Sequence, residues 1–281
     1  MTQIPIHVIN LEKRKDRRQE MQDQADALGL TFSFFEAIDT IKLASSPLRA
    51  RLSDKGPLGH LGLGDMACTL SHLTLFQKLA QSEDRAYLIL EDDAVLAQDL
   101  PRFLNDLSWI PEDTDIIKLE TWNDPKLMVL LGRQKGTHHG RSLHKLLSRH
   151  SGTAGFIITR TCAQKILTKA DKIRVPIDHL LFNANVSPLA RSLSVAQLTP
   201  ALIRQKEDQG QSDIVGLRNQ AKSTEKAWAR ELKRGYFEIS RLPQQLGSLV
   251  FKGARLRKIP WTSHLISQNE TLDDQNPVEH G

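Results

Sequence analysis

The sequence predicts an α/β fold built on a mostly parallel central sheet, and three observations carry that expectation. Residues 87–90, YLIL, form a short apolar run that leads straight into Glu91, Asp92 and Asp93, the pattern of a buried strand that ends in charge. Residues 4–37 hold two β-branched or aromatic runs separated by a helical pattern, a β-α-β unit whose crossover makes the two strands parallel. Further short apolar runs at 115–119, 151–159 and 193–203 follow the helical patterns that begin at Asp65 and Arg160, as in a sheet covered by helices.

Taken in order, residues 4–10, IPIHVIN, read as the first strand. LEKRKDRR follows at 11–18, and a helical pattern then places Met21, Ala25 and Leu28 on one face until Gly29, a C-capping glycine. Arg14, Arg17 and Arg18 fall where a strand-to-helix loop holds a phosphate-bearing ligand. An exposed, charged helix start accounts for them equally well. Residues 43–64 read as a long loop punctuated by Pro47, Gly56, Pro57, Gly59, Gly62 and Gly64. The helix opened by Asp65 carries Ser71 and His72 among Met66, Leu70, Leu73 and Leu79. A histidine in that setting is more often a packing residue than a ligand.

The three adjacent acids repel one another, so water, a basic partner or a cation must offset them. At the C-terminal end of a strand they suit a hard divalent cation that also holds a phosphate. A solvated acidic turn is the competing reading. Beyond it the sequence predicts a helix near 99–107, strands at 115–119 and 126–131, and a loop over a substrate up to His150. His138, His139, His144 and His150 lack the companion acids and cysteines that fix a metal site. Residues 151–159, SGTAGFIIT, read as a loop feeding a strand, and 160–170 as a helix. In VPIDHLLF, 175–182, Asp178 and His179 interrupt an apolar run, which is expensive unless they are used or paired. Asp178 also suits a capping carboxylate after Pro176. Residues 193–203 complete the core.

With 40% hydrophobic and 25% charged residues the chain is an ordinary globular one, long enough for a sizeable core. Cys68 and Cys162 show no metal-ligand spacing, and the N-terminus shows no secretory pattern, so a cytoplasmic location is expected. No apolar run approaches the ~18 residues that span a bilayer, which leaves peripheral contact. The formal charge of +5 is uneven: 214–260 carries eleven Lys/Arg against three acids, while 261–281 carries four acids and no Lys/Arg. This argues for a local anionic contact and against nucleic acid as a partner. The basic stretch mixes its charges with Trp228, Leu232, Tyr236, Phe237 and Phe251, which suits amphipathic helices on an anionic membrane surface or a helical appendage packed on the core. The expected division is an α/β domain over 1–205, a basic helical segment over 206–261 and a disordered tail over 262–281.

IHVINLEKRKDRR, FFEAIDT, GDMACTLSHLTLFQKL, YLILEDDAVL, SGTAGFIITRTCAQKIL and VPIDHLLF, in this order, resemble the glycosyltransferase family 25 proteins of lipooligosaccharide biosynthesis. The resemblance spans roughly residues 4–205. It implies a GT-A-like, Rossmann-like domain of the β-1,4-galactosyltransferase kind, moving galactose from a UDP-sugar to a lipid-linked glycan acceptor with inversion. It also implies Mn2+ (or Mg2+) at a D-x-D-type element, here Glu91, Asp92 and Asp93, with Asp93 the first choice for metal contact. Asn10, Leu11, Arg14, Asp16 and Arg17 match the family's N-L-x-x-R-x-D-R motif around the nucleotide, and Ser71 and His72 match its S-H pair. Asp178 and His179 match its late D-H pair, with Asp178 as base and His179 as metal or diphosphate contact, roles that can be exchanged. The implied setting is the inner face of the cytoplasmic membrane. A non-catalytic nucleotide-sugar or glycan-binding protein of the same fold is the alternative.

Overall fold

The apolar runs of the sequence become strands buried on both faces. The computed structural model describes residues 4–122, 128–206 and 253–263. In chain order the elements are β1 (Ile6–Asn10), α1 (Lys15–Leu28), β2 (Phe32–Glu36), β3 (Lys55–Gly56), β4 (Gly59–His60), α2 (Leu63–Gln81), β5 (Ala86–Glu91) and β6 (Ala94–Leu96). Next come β7 (Ile116–Lys118), β8 (Glu120–Thr121), β9 (Val129–His138), β10 (Arg141–Leu146), β11 (Gly155–Thr159) and α3 (Arg160–Lys169). The described part closes with α4 (Ile177–Phe182), α5 (Pro188–Ser192), β12 (Val195–Thr199), β13 (Ile203–Gln205) and β14 (Arg255–Arg257).

The main sheet runs β14-β9-β10-β12-β7-β11-β5-β1-β2. β2, β1 and β5 are mutually parallel, as are β7 and β12, while β11, β10 and β14 run the other way. Most strands therefore share one direction, as the crossover predicts. Alternate residues feed two cores: Ile9, Ile89, Ile116 and Phe156 pack under α2, α3 and α4, and Val8, Leu88, Leu90, Ile117 and Ile157 pack with Met21 of α1. Burial on both faces is why these strands read as unbroken apolar runs. Gly29 ends α1 in the left-handed region at φ 63°, as a C-capping glycine does. The strands β6, β13 and β8 form a second, three-stranded sheet beyond the C-terminal ends of β5 and β7.

Several expectations change. The loop at 43–64 contains the β3–β4 hairpin and 3-10 turns. The helix expected at 99–107 is a single 3-10 turn, Leu100–Phe103, because Asp99 gives its carboxylate to Arg141 rather than to a helix cap. The polar stretch before His150 is the β9–β10 hairpin. It turns through His139 and Gly140, both at positive φ, as a two-residue hairpin loop requires. Both of its faces are buried at the end away from the turn, Leu131 and Leu146 in one core and Leu143 in the other, and Arg133, Gln134 and Thr137 toward the turn are exposed. The run at 193–203 splits at Pro200 between β12 and β13.

The helices expected within 207–252 lie outside the described residues. At 253–263 the basic segment is not helical: β14 adds to the outer edge of β9, where unpaired strand N–H and C=O groups await a partner. The segment is then fastened by Arg141. Its guanidinium is fully buried, donates to both oxygens of Asp99 at 2.7 and 2.6 Å, and reaches the carbonyls of Pro200, Ala201 and Thr262. Among the described residues no helix is long and apolar enough to cross a membrane.

Candidate active site

β1, β5 and β7 point the same way, and charge collects where they end. Ile9 of β1 lies opposite Glu91 of β5, so Asn10 at the end of β1 reaches the turn that follows β5. Its Nδ2 donates to Asp92 Oδ2 at 2.8 Å and to the Arg14 carbonyl at 3.1 Å. Arg17, in the first turn of α1, donates from Nη1 to Asp92 Oδ1 at 3.0 Å and stands 3.9 Å from Asp93. These side chains are only 11 to 15% exposed, so the ion pairs are screened far less than surface ones. Burial works against the Arg17 charge, yet the two aspartates hold its pKa above the ordinary value.

Asp93 is bound from the other side by β13: Gln205 Nε2 donates to Oδ2 at 2.8 Å and the Lys206 N–H to its carbonyl at 2.8 Å. Its Oδ1 is buried without a hydrogen-bond partner among the described residues. Burial raises the Asp93 pKa, with Gln205 and Arg17 opposing. Glu91 is pushed up to about 8, by burial first and then by the charge of Asp93, although Thr153 Oγ1 donates to it at 2.5 Å. The acid cluster is thus short of positive charge and holds one unsatisfied oxygen.

The segment 152–154 ties this cluster to its neighbours. The Gly152 carbonyl accepts from Lys118 Nζ, the Gly152 N–H makes a long contact of 3.5 Å to Asp178 Oδ2, and the Ala154 N–H donates to Glu120 Oε2 at 2.9 Å. Lys118 and Glu120 pair directly, wholly buried, with the ammonium 4.1 Å above the Phe182 ring. Burial lowers the Lys118 pKa and raises that of Glu120, and each ion counteracts the shift of the other. Gly152 sits at φ 83°, where a Cβ would come within 3.1 Å of Glu120 Oε2. Glycine is required there by both conformation and space.

The structure brings Asn10, Arg17, Asp92 and Asp93 into direct contact and links Glu91 to Asp178 through 152–154. Leu11 accepts the Arg14 N–H in the turn before α1. Arg14 pairs with exposed Asp16 through two hydrogen bonds, which lower the Asp16 pKa to about 2. Asp178 lies in the first turn of α4, where Pro176 is the cap, and its Oδ1 accepts the His179 N–H at 2.8 Å. His179 Nδ1 is 2.7 Å from Asn183 Nδ2. Ser71 and His72 are buried in α2: Ser71 Oγ accepts from Ile38 N and donates to the Ala67 carbonyl, and His72 stacks on Phe156. Burial lowers the His72 pKa to about 4, against the charge of Asp178.

A family model described as "Glycosyltransferase family 25 (LPS biosynthesis protein)" matches residues 3–181. The chain belongs to glycosyltransferase family 25. Among relatives of this family, a lipooligosaccharide biosynthesis protein lic2B of Haemophilus influenzae is 30% identical over 190 residues, covering 63% of this chain and 69% of the relative. The lacto-N-neotetraose biosynthesis glycosyltransferase LgtB of Neisseria meningitidis serogroup A / serotype 4A is 30% identical over 212 residues, covering 71% and 74%. A solved glycosyltransferase involved in glycosylation of the major capsid of PBCV-1 is 11% identical with a TM-score of 0.36, covering 85% of this chain and all of that one. A likeness at that level carries no argument.

For a member of this family the question of a divalent cation turns on the donors. Asp93, with its orphaned oxygen, and Glu91, whose pKa its charge helps to raise, fit such an ion as a two-carboxylate site completed by substrate phosphate. His179 is not gathered with them, and no group of three or more His, Cys, Asp or Glu able to hold a metal occurs among the described residues. The four histidines at 138–150 follow suit: His144 and His150 face backbone carbonyls, and His138 stacks on Trp109. A cavity of about 650 Å³ between the β3–β4 hairpin and α4–α5, rimmed by Lys55, Asp171, Lys172 and Arg174, is lined by none of Glu91, Asp92, Asp93 or Asp178. Sequence reasoning missed Lys118, Glu120, Thr153 and Gln205. DIIKLE carries a signal for the first two, since charges two apart on a buried strand demand a partner.

Proposed function

We propose that this family member transfers galactose from a UDP-sugar to a lipooligosaccharide or lipopolysaccharide glycan, with inversion, on a GT-A-like domain. The observation that carries the reading is the convergence of Asn10, Arg17 and Glu91–Asp93 at the ends of β1 and β5, the place where open α/β sheets take a nucleotide. Arg17 presents a buried-side cation to the donor diphosphate from the first turn of α1. Mn2+ or Mg2+ held by Asp93 and Glu91 would supply Lewis-acid neutralisation of the leaving diphosphate. Asp178, oriented by the Gly152 and His179 N–H groups, takes the proton of the acceptor hydroxyl. The hydroxyl oxygen bonds to the anomeric carbon as the bond to the UDP oxygen breaks, and UDP leaves with the electron pair. A base so placed contributes about 10²- to 10⁴-fold. His179, held by Asn183, contacts the diphosphate side of the site.

The acceptor is lipid-linked and anionic, and the basic C-terminal segment suits peripheral contact at the inner face of the cytoplasmic membrane. Exposed Arg255 and Lys258 flank Leu256, which is 52% exposed. The test is transfer by purified protein from UDP-galactose to a truncated lipooligosaccharide, with Mn2+ or with EDTA, and NMR of the product anomer. Asp93→Asn should lower kcat by about 10²-fold or more, the scale of lost transition-state charge stabilisation. Unchanged transfer by this variant, or a retained anomeric configuration, sinks the reading.

A further inference from the structure

Trp122 follows β8 at the edge of the acid site, and its side chain is 40% exposed. An indole open to water beside carboxylates offers a flat apolar face with a polar rim to a ligand in that site. The other described tryptophans are half-buried and have partners. Trp109 donates to the Phe103 carbonyl and stacks on His138, and Trp261 lies under the Arg204 guanidinium. Trp122 has no ring or side-chain hydrogen-bond partner among the described residues.

Its location is fixed by Gly152. A Cβ on that residue would stand 3.2 Å from Cε3 and Cζ3 of Trp122 and 3.1 Å from Glu120 Oε2. One edge of the indole therefore packs on the Gly152 backbone, and the N–H of the same residue faces Asp178. The ring and the carboxylate are neighbours of one glycine. We propose that Trp122 is the platform on which the acceptor saccharide stacks, through the apolar C–H face of a pyranose ring, with a hydroxyl of that sugar presented to Asp178. Aromatic rings carry a large apolar surface with a polar rim, which matches a pyranose: apolar on its faces, hydroxyls on its edge. The nucleotide is the competing occupant, and it is disfavoured because the cation that holds the diphosphate, Arg17, approaches from Asp92 and Asp93 while Trp122 approaches through Gly152 and Glu120.

The inference rests on the transferase reading above, and the experiment separates the two. Deacylated truncated lipooligosaccharide and UDP are titrated by calorimetry into the wild type, Trp122→Ala and Trp122→Phe, and acceptor and donor KM are measured with the same proteins. Trp122→Ala should weaken oligosaccharide binding and raise acceptor KM about tenfold, the scale of one stacked aromatic contact, with UDP affinity held within about twofold. Trp122→Phe should restore most of the loss, which a merely structural role would not require of an exposed side chain. Oligosaccharide affinity unchanged in Trp122→Ala, a parallel fall in UDP affinity, or no oligosaccharide binding by the wild type overturns the platform. Oligosaccharide binding that depends on Trp122 without any transfer overturns the transferase reading and leaves the platform standing.

Discussion

Replacing Lys118 by Met keeps the length of the side chain and removes its charge. Lys118 and Glu120 are 0% and 1% exposed, so the variant leaves a carboxylate buried with the Ala154 N–H as its remaining donor among the hydrogen bonds described. Breaking one side of a buried pair costs about 3 to 5 kcal/mol, and the Gly152 carbonyl loses its donor as well. At about 2 to 4 °C per kcal/mol for a chain of this size, Tm should fall by roughly 6 to 20 °C. The second variant, Lys118→Met with Glu120→Gln, removes both charges while the Gln oxygen still accepts from Ala154, and most of the stability should return. Turnover should not return, because Lys118 is the buried cation that faces Glu91 and Asp178; a deficit of about tenfold or more is the scale of lost fixed electrostatics. Calorimetric Tm, CD and transfer rates read the three proteins. A single variant that melts within about 2 °C of wild type contradicts the cost of an unpaired buried charge, and a double variant as unstable as the single one shows that packing rather than charge was lost.

Gly152→Ala should cost about 1 to 3 kcal/mol, since it forces a Cβ residue to φ 83° against Glu120; wild-type stability and kcat in this variant would show that the segment moves freely. The pKa of His72 is lowered to about 4 in the folded state from 6.5, so the folded protein keeps it neutral while the unfolded chain takes up a proton below pH 6.5. Its contribution is full above pH 6.5, declines as pH falls and is exhausted near pH 4, a loss of about 3 kcal/mol at 1.36 kcal/mol per pH unit. His72→Phe should flatten that stretch of the stability profile by urea unfolding, and an unchanged slope contradicts the assignment. Co-sedimentation with phosphatidylglycerol-containing vesicles should be salt-sensitive and should weaken when Arg255 and Lys258 become Gln, whereas equal binding to neutral vesicles would exclude an electrostatic surface contact.

The strands and the acid turn were legible because their chemistry is local. Val8, Leu88 and Ile157 are buried because whole runs are apolar, and Gly29 ends α1 because a glycine there adopts the left-handed region. The contacts that make the acids a site are not local. Thr153 reaches Glu91 across 62 residues and Gln205 reaches Asp93 across 112, and neither type of residue announces itself in an isolated loop. The β9–β10 hairpin reads as a loop because the residues from 132 to 140 that lead to its turn are polar or glycine and mostly exposed, and β14 reads as part of a basic helix because arginines at 255 and 257 both stay outside the core. Asp178 and His179 are legible as ionisable residues in an apolar run. What they partner depends on Gly152 and Asn183, which only the fold supplies.

The attachment of the basic segment follows from the same non-local contacts. Lys206, the last described residue before 207–252, donates its N–H to the Asp93 carbonyl, and its ammonium pairs with Glu20 of α1. After that stretch the chain returns as β14, and the residues behind it are held by Thr121 Oγ1 on the Ile259 carbonyl, Ala201 N–H on Pro260 and Arg141 on Thr262. The described ends of the basic segment belong to the body of the fold: Lys206 is tied to the turn after β5, and β14 is a strand of the main sheet. The segment's first anchor is the backbone of Asp93. Gln205 and Lys206 thus join the end of β13 to the carboxylate turn, one by its side-chain amide and the other by its backbone N–H.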